Sequence, residues 1–265
     1  MIGALPRWVH AGAIVLIAAV AFLMLSPLVV VIASSFSASE FLVFPPRSLS
    51  LRWYGEVLQS DAYLAAGYTS LKLALITVVV SLSLGTSAAI ALSRFRFPGR
   101  SFISALFLSP LILPSLIFAI GLLIVFSRYG DGPSFLGLVI GHTVITVPYV
   151  VRTVSASLAD IDPHLDEAAR MMGARWWQRY ALVILPQCAT GMAAGAFFVF
   201  NISFDDAVIA LFMRAPNVET LPMRIYSTLE FSPDPSVAAV SSIMIVMTLA
   251  LVLLLDRIFG LAKVV

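Results

Sequence analysis

Charge is what this sequence has least of. Of its 265 residues, 11% are Asp, Glu, Lys or Arg, whereas an ordinary soluble domain carries about 25%. Hydrophobic residues make up 60%, which also excludes a disordered chain, polar and charged by composition. Cysteine is almost missing. The single Cys188 excludes an intrachain disulfide and a cysteine metal cluster. Lysine occurs twice, at Lys72 and Lys263, and neither follows a glycine. The chain therefore lacks the Gly-Lys-Ser/Thr end of a phosphate-binding loop, and any ATP hydrolysis it depends on must reside on another chain. No pair of histidines four apart flanks a glutamate, and no Gly-x-Ser-x-Gly elbow is present. No catalytic or metal-binding residue is expected. A net charge of +2 with scattered basic residues does not suit a nucleic-acid partner.

What is present falls in long apolar blocks, with a mean hydropathy of +1.02. A membrane span needs about 20 apolar residues. Six blocks qualify, at approximately 8–33, 70–92, 102–126, 135–151, 188–212 and 237–255. The expectation is an all-α membrane protein, 1–265 forming one transmembrane domain with about six helices. The first block is too long for the apolar region of a signal peptide, about 7–15 residues. The polar stretch from Ser34 to about Tyr68, with Trp53 and Tyr54, suits an external loop with interfacial aromatics. Pro110, Pro114 and Pro148 lie inside blocks and are tolerable where neighbouring helices satisfy the freed backbone groups.

Orientation follows from Lys and Arg near the span ends. With the N-terminus inside, ten basic residues lie inside, among them Arg94, Arg96, Arg100, Arg152, Arg170, Arg175 and Arg179, and six lie outside. Both termini are expected in the cytoplasm, and the polar stretch 152–187 with them. That stretch is patterned. Asp162-Pro163 is a helix start, Asp166 and Glu167 suit the first turns, and Gly173 suits the end. A second helix from about Arg175 to Val183 should end before Pro186, with Arg175 and Arg179 on one face. The expected shape is a cytoplasmic helix–turn–helix.

Here a resemblance enters. Glu167-Ala168-Ala169, three residues, Gly173, nine residues, then Val183-Ile184-Leu185-Pro186 resembles the EAA loop of bacterial ABC-importer permeases, with Val183 in place of the usual isoleucine. The resemblance implies the type I importer permease fold. It also implies that Glu167, Ala168, Ala169, Gly173, Leu185 and Pro186 dock into a cytoplasmic ATPase. The chain itself would carry no cofactor, with ATP and Mg on that partner.

The fifth block holds Asn201, Asp205 and Asp206. A carboxylate at membrane depth is costly and is usually kept where it faces a cavity or a partner. Adjacent helical residues point about 100° apart, so both aspartates share one cavity only if the helix breaks there. Two readings stand: an aspartate attracts a cationic cargo, or the pair holds a loop at the helix end through Arg214 or a backbone amide. Tyr149 and Phe204 are candidates to stack on an ammonium. His142 and His164 read as packing or surface residues.

Ser203-Phe204-Asp205-Asp206, with Leu221-Pro222 and Ile225-Tyr226, resembles the second permease of spermidine/putrescine-type importers. That resemblance implies a bacterial inner-membrane subunit working with a second, non-identical permease, two ATPase copies, a periplasmic substrate-binding protein and the surrounding lipid. Other cargo in the same class (an opine, an amino-acid derivative, an aminophosphonate, ferric iron) stays open. So does a secondary transporter with Asp205 or Asp206 as proton relay, which the EAA spacing and the small size disfavour.

Overall fold

The structure is a computed structural model that describes residues 7–130, 132–162, 164–216 and 218–259. Arg7 and Trp8 are described in backbone only, and Pro163 and Lys263 lie outside the described residues. In chain order the helices are α1 (Arg7–Ser35), α2 (Arg52–Gln59), α3 (Asp61–Arg94), α4 (Arg100–Leu108), α5 (Ser115–Tyr129), α6 (Phe135–Ala159), α7 (His164–Met171), α8 (Trp176–Gln178), α9 (Leu185–Gln187), α10 (Ala189–Asp205), α11 (Val208–Phe212), α12 (Leu221–Phe231) and α13 (Ser236–Phe259). A 3₁₀ turn at Ser109–Leu111 extends α4, and a π-helical segment at Arg179–Ile184 joins α8 to α9. Among the described residues, four helices are long and apolar enough to cross a membrane. The number rises to six if two bent helix pairs each count as one span.

The chain divides into two compact units. The first comprises residues 1–60 and 227–246. The most apolar stretch of α1 is unburied, so its surface is left to lipid or to another chain. Trp53 and Tyr54, expected as interfacial aromatics, are held by groups of the chain itself. Trp53 is buried and donates Nε1–H to the Ser39 carbonyl at 3.2 Å, and the Tyr54 hydroxyl meets Ser35 Oγ at 2.6 Å. The polar handles of both rings are satisfied by the α1–α2 connection, so neither needs water.

The second unit comprises residues 61–226 and 247–265. Its centre is the mutual packing of α3, α6 and α10. Ala89, Val150, Val154, Leu158, Ile184, Cys188 and Val199 form one buried cluster there, while Leu73, Leu138, Ile209, Met213 and Met223 belong to another. Cys188 is free and buried, a small apolar group in that cluster. Polar cross-links join the helices: Ser81 Oγ meets Thr146 Oγ1 at 2.8 Å, and Ser70 Oγ accepts the Leu221 amide at 2.8 Å.

The helix bounds differ from the second, third and fourth apolar blocks, and from the fifth at its two aspartates. The second block is the core of a longer helix. α3 starts at Asp61 and runs 34 residues, about 51 Å at 1.5 Å per residue, because Ala62, Leu64, Ala65 and Ala66 ahead of the block are strong helix formers and Asp61 suits the first turn. The third block is not one straight span. Its two arms meet at 102°, since proline disfavours the helical conformation of the residue before it, and Pro114 caps α5 from an extended ψ of 126°. The fourth block runs on through Arg152 to Ala159, and Pro148 lies buried inside an unbroken helix. Packing of α6 on α3 and α10 outweighs the lost hydrogen bond at that proline.

Candidate coupling loop and translocation site

The segment after α6 forms a helix–turn–helix. Asp162 Oδ1 accepts the His164 amide at 2.9 Å and starts α7. At the other end, Gly173 takes φ +81°. Its amide bonds to Arg170 O at 3.0 Å, and the Ala174 amide reaches back to Ala169 O at 3.1 Å. This pair of bonds is a Schellman ending, and the left-handed residue it needs is here the glycine. Glu167 is exposed, with Nδ1 of His164 3.3 Å from its carboxylate. Ala168 is exposed and Ala169 half-buried. Beside them Met171, Met172 and Trp176 are 90%, 87% and 72% exposed. Together they make an apolar surface around one carboxylate.

The second arm departs from expectation. Arg175 is an extended cap, not a helical residue, so it shares no face with Arg179. Arg179 turns inward, and its Nε stands 3.0 Å from Asp166 Oδ1, an ion pair that ties the second arm to α7. The helix also does not stop before Pro186. The π segment gives way to α9, whose first turn holds Pro186, a position where the missing amide costs nothing. Leu185 is half-buried and Pro186 exposed. The axis then bends by 70° into α10.

α10 ends at Asp205, and Asp206 is extended, with φ −71° and ψ 114°. The fifth block is therefore broken at the two aspartates and resumes as the short α11. Asp206 Oδ1 accepts the Ile209 amide at 2.7 Å, which satisfies one orphan donor at that restart. A cavity of about 290 Å³ opens beside the break. Asp206 and Ile202 line it, together with Ile145 and Tyr149 of α6 and Pro110, Leu111, Leu113, Ser115 and Phe118. The last group belongs to the 102° bend, so two interrupted helices converge on one cavity, lined mostly by apolar residues, with a carboxylate on its wall. Irregular backbone at membrane depth is tolerated where it lines such a space.

Of the five path candidates, the cavity brings together Tyr149 and Asp206. Tyr149 also stacks on Phe198, with centroids 5.9 Å apart. Asn201 donates to Phe197 O within its own helix, Phe204 is buried against Phe200, and Asp205 is exposed away from the cavity wall. The anticipated Asp–Arg214 contact is not among the ion pairs of the described residues. Sequence reading passed over His142 as packing. It is fully buried, and its Nδ1 lies 2.9 Å from Ser203 Oγ. Ser203 is 61 residues away along the chain, so no local spacing announces the pair.

The profile of binding-protein-dependent transport system inner membrane components matches residues 81–262. The chain belongs to that family. The permease is 32% identical over 227 residues to the spermidine/putrescine transport system permease protein PotC of Escherichia coli K12, with 86% of each chain covered. It is 30% identical over 227 residues to the putrescine transport system permease protein PotI of the same organism, covering 83% of this chain and 80% of that one. The sulfate transport system permease protein CysT, also from that organism, is 28% identical over 225 residues. Among solved structures, a bacterial ABC transporter that imports the acidic polysaccharide alginate superposes with a TM-score of 0.69 at 19% identity, covering 96% of this chain and 97% of that chain. The alginate transporter in complex with its pentasaccharide-bound periplasmic protein gives 0.70 at 16%, covering 96% of each. At such identities the likeness shows the fold, that of ABC-importer permeases. The permease is thus a membrane transport subunit of an ABC importer, a family that works with a substrate-binding protein, a partner permease and an ATPase.

Proposed function

We propose that the permease forms half of an import path for a small organic cation of the putrescine/spermidine class. Its pair is a second, non-identical permease, and two copies of a cytoplasmic ATPase drive the complex. ATP and Mg are held on the ATPase, and this chain carries no cofactor. Both termini face the cytoplasm of a bacterial inner membrane, and the binding protein docks on the other side.

The observation that carries the reading is Asp206 on the wall of the cavity where two broken helices meet. A carboxylate there lowers the cost of an ammonium at membrane depth, and the adjoining Tyr149 ring adds a face on which a cation can rest. The identities to PotC and PotI support the same cargo class. On the cytoplasmic side, Glu167, Ala168, Ala169 and Gly173 present the α7 surface to the ATPase, and Leu185 and Pro186 carry its movement into α10. The exposed Met171, Met172 and Trp176 supply apolar area to that contact.

The test is ATP hydrolysis by the lipid-reconstituted complex with its binding protein, with and without putrescine, spermidine, sulfate, amino-acid derivatives and ferric iron. Stimulation at least severalfold by a polyamine alone is the expected result. Stimulation by sulfate, in keeping with the CysT likeness, would leave an ABC permease and retire the cation role of Asp206.

A further inference from the structure

His142 has a second nitrogen that nothing in the described structure satisfies. Its side chain is fully buried between α6 and α10. Nδ1 is engaged with Ser203 Oγ at 2.9 Å, whereas Nε2 is buried without a hydrogen-bond partner. Nearly all buried polar atoms are paired, so an orphan of this kind calls for a reason. The atom that faces it is Asp206 Oδ1, 4.0 Å away, too far for a hydrogen bond and near enough to reach one with a small shift.

The tautomer follows from that neighbour. If Nδ1 carried the proton, the bare lone pair of Nε2 would face a carboxylate oxygen. If Nδ1 accepts the Ser203 hydroxyl, the proton sits on Nε2 and points toward Asp206. Electrostatics select the second arrangement. Ser203 thus fixes the ring on α6 and aims its free N–H at the carboxylate on the cavity wall.

We infer that His142 is a positioning residue that holds Asp206 while the path is empty and gives it up to the ammonium of the cargo. The carboxylate then has two alternative partners, an internal N–H and a substrate cation. Beyond the Ile209 amide that Oδ1 already accepts at 2.7 Å, a carboxylate with no further partner would hold its cargo too tightly to release it. An internal donor that re-forms as the cargo leaves offsets that loss. This inference rests on the cation reading of Asp206.

The test uses the whole complex in proteoliposomes, with putrescine uptake measured over a concentration series. His142→Asn keeps a polar atom where Nδ1 meets Ser203 and deletes Nε2. The expected result is a KM for putrescine lowered about three- to tenfold, less than the full strength of a hydrogen bond to a charged group, together with a reduced maximal rate. Ser203→Ala frees Nδ1 to carry the proton and should shift KM in the same direction by less. An unchanged or raised KM in His142→Asn overturns the inference. If that variant does not assemble, Ser203→Ala decides by the same criterion. Asp206→Asn separates the two claims. Loss of saturable putrescine uptake in Asp206→Asn, combined with an unshifted KM in His142→Asn, removes only the role of His142. Normal uptake by Asp206→Asn, or no uptake of putrescine by the unmodified complex, removes the cation reading and the inference with it.

Discussion

Gly191→Leu leaves little or no folded permease to recover from the membrane. At this position α10 runs against the backbone of α6. Even the first carbon of a side chain would stand 2.5 Å from Ser157 Oγ, 2.7 Å from the Thr153 carbonyl oxygen and 2.9 Å from Ser157 Cβ. A hydroxyl can rotate away, but a carbonyl inside a helix cannot. A side-chain carbon added at Gly195, one turn on, would stand 2.9 Å from Thr153 Oγ1, so the seam is tight there too. Close approach of this kind is how helices associate in lipid, where apolar surface alone gives no drive. Overpacking a tight core costs about 1–3 kcal/mol for a modest excess and more for a large one. Gly191→Ala is therefore expected to lower the melting temperature of the detergent-solubilised permease by several degrees. Gly121→Ala, with nothing within 4 Å of the added carbon, should leave it unchanged or raise it. Equal melting of the two variants would show that the α6–α10 seam can spread.

Glu167→Arg is expected to leave the chain folded and the importer uncoupled. The side chain is 72% exposed, and its contact within the chain is the adjacent His164 ring, so reversal of its charge disturbs little inside the permease. Against a partner surface the change is large. A hydrogen bond to a charged group contributes about 1.5–3 kcal/mol, a tenfold effect or more. Placing a cation where an anion was accommodated adds repulsion to that loss. Cargo-stimulated ATP hydrolysis should fall at least tenfold, with permease abundance and melting temperature near those of the unmodified protein. Ordinary stimulation in Glu167→Arg would mean that this face of α7 does not meet the ATPase.

Much of the fold was legible because apolar length is itself the signal for a span. The bounds of α7 were legible because their devices are local: Asp162 caps it two residues on, and Gly173 closes it within one turn. What escaped depends on partners distant in sequence or on competition between helix and proline. Pro114 turns the chain by 102° while Pro148 leaves α6 whole. Trp53 and Tyr54 were read as interfacial, since the groups that satisfy them, Ser39 and Ser35, become neighbours only through the α1–α2 connection. Asp206 was flagged by its charge. Its division of labour with Asp205 was hidden, because it depends on where α10 ends. His142 offered no pattern at all, its partners lying 61 and 64 residues away on another helix and its broken end.

The 70° bend between α9 and α10 works as a gear. A displacement directed along the short arm has about one third of its length along the α10 axis and more than nine tenths across it, the cosine and sine of that angle. Were a partner to push along that arm, as the proposed coupling requires, α10 would move little along its own axis. The foot of the helix would move sideways. The rigid seam at Gly191 and Gly195 begins only a few residues beyond the corner, so α6 must travel with it. A push along that arm would slide α10 and α6 together, mostly across the α10 axis.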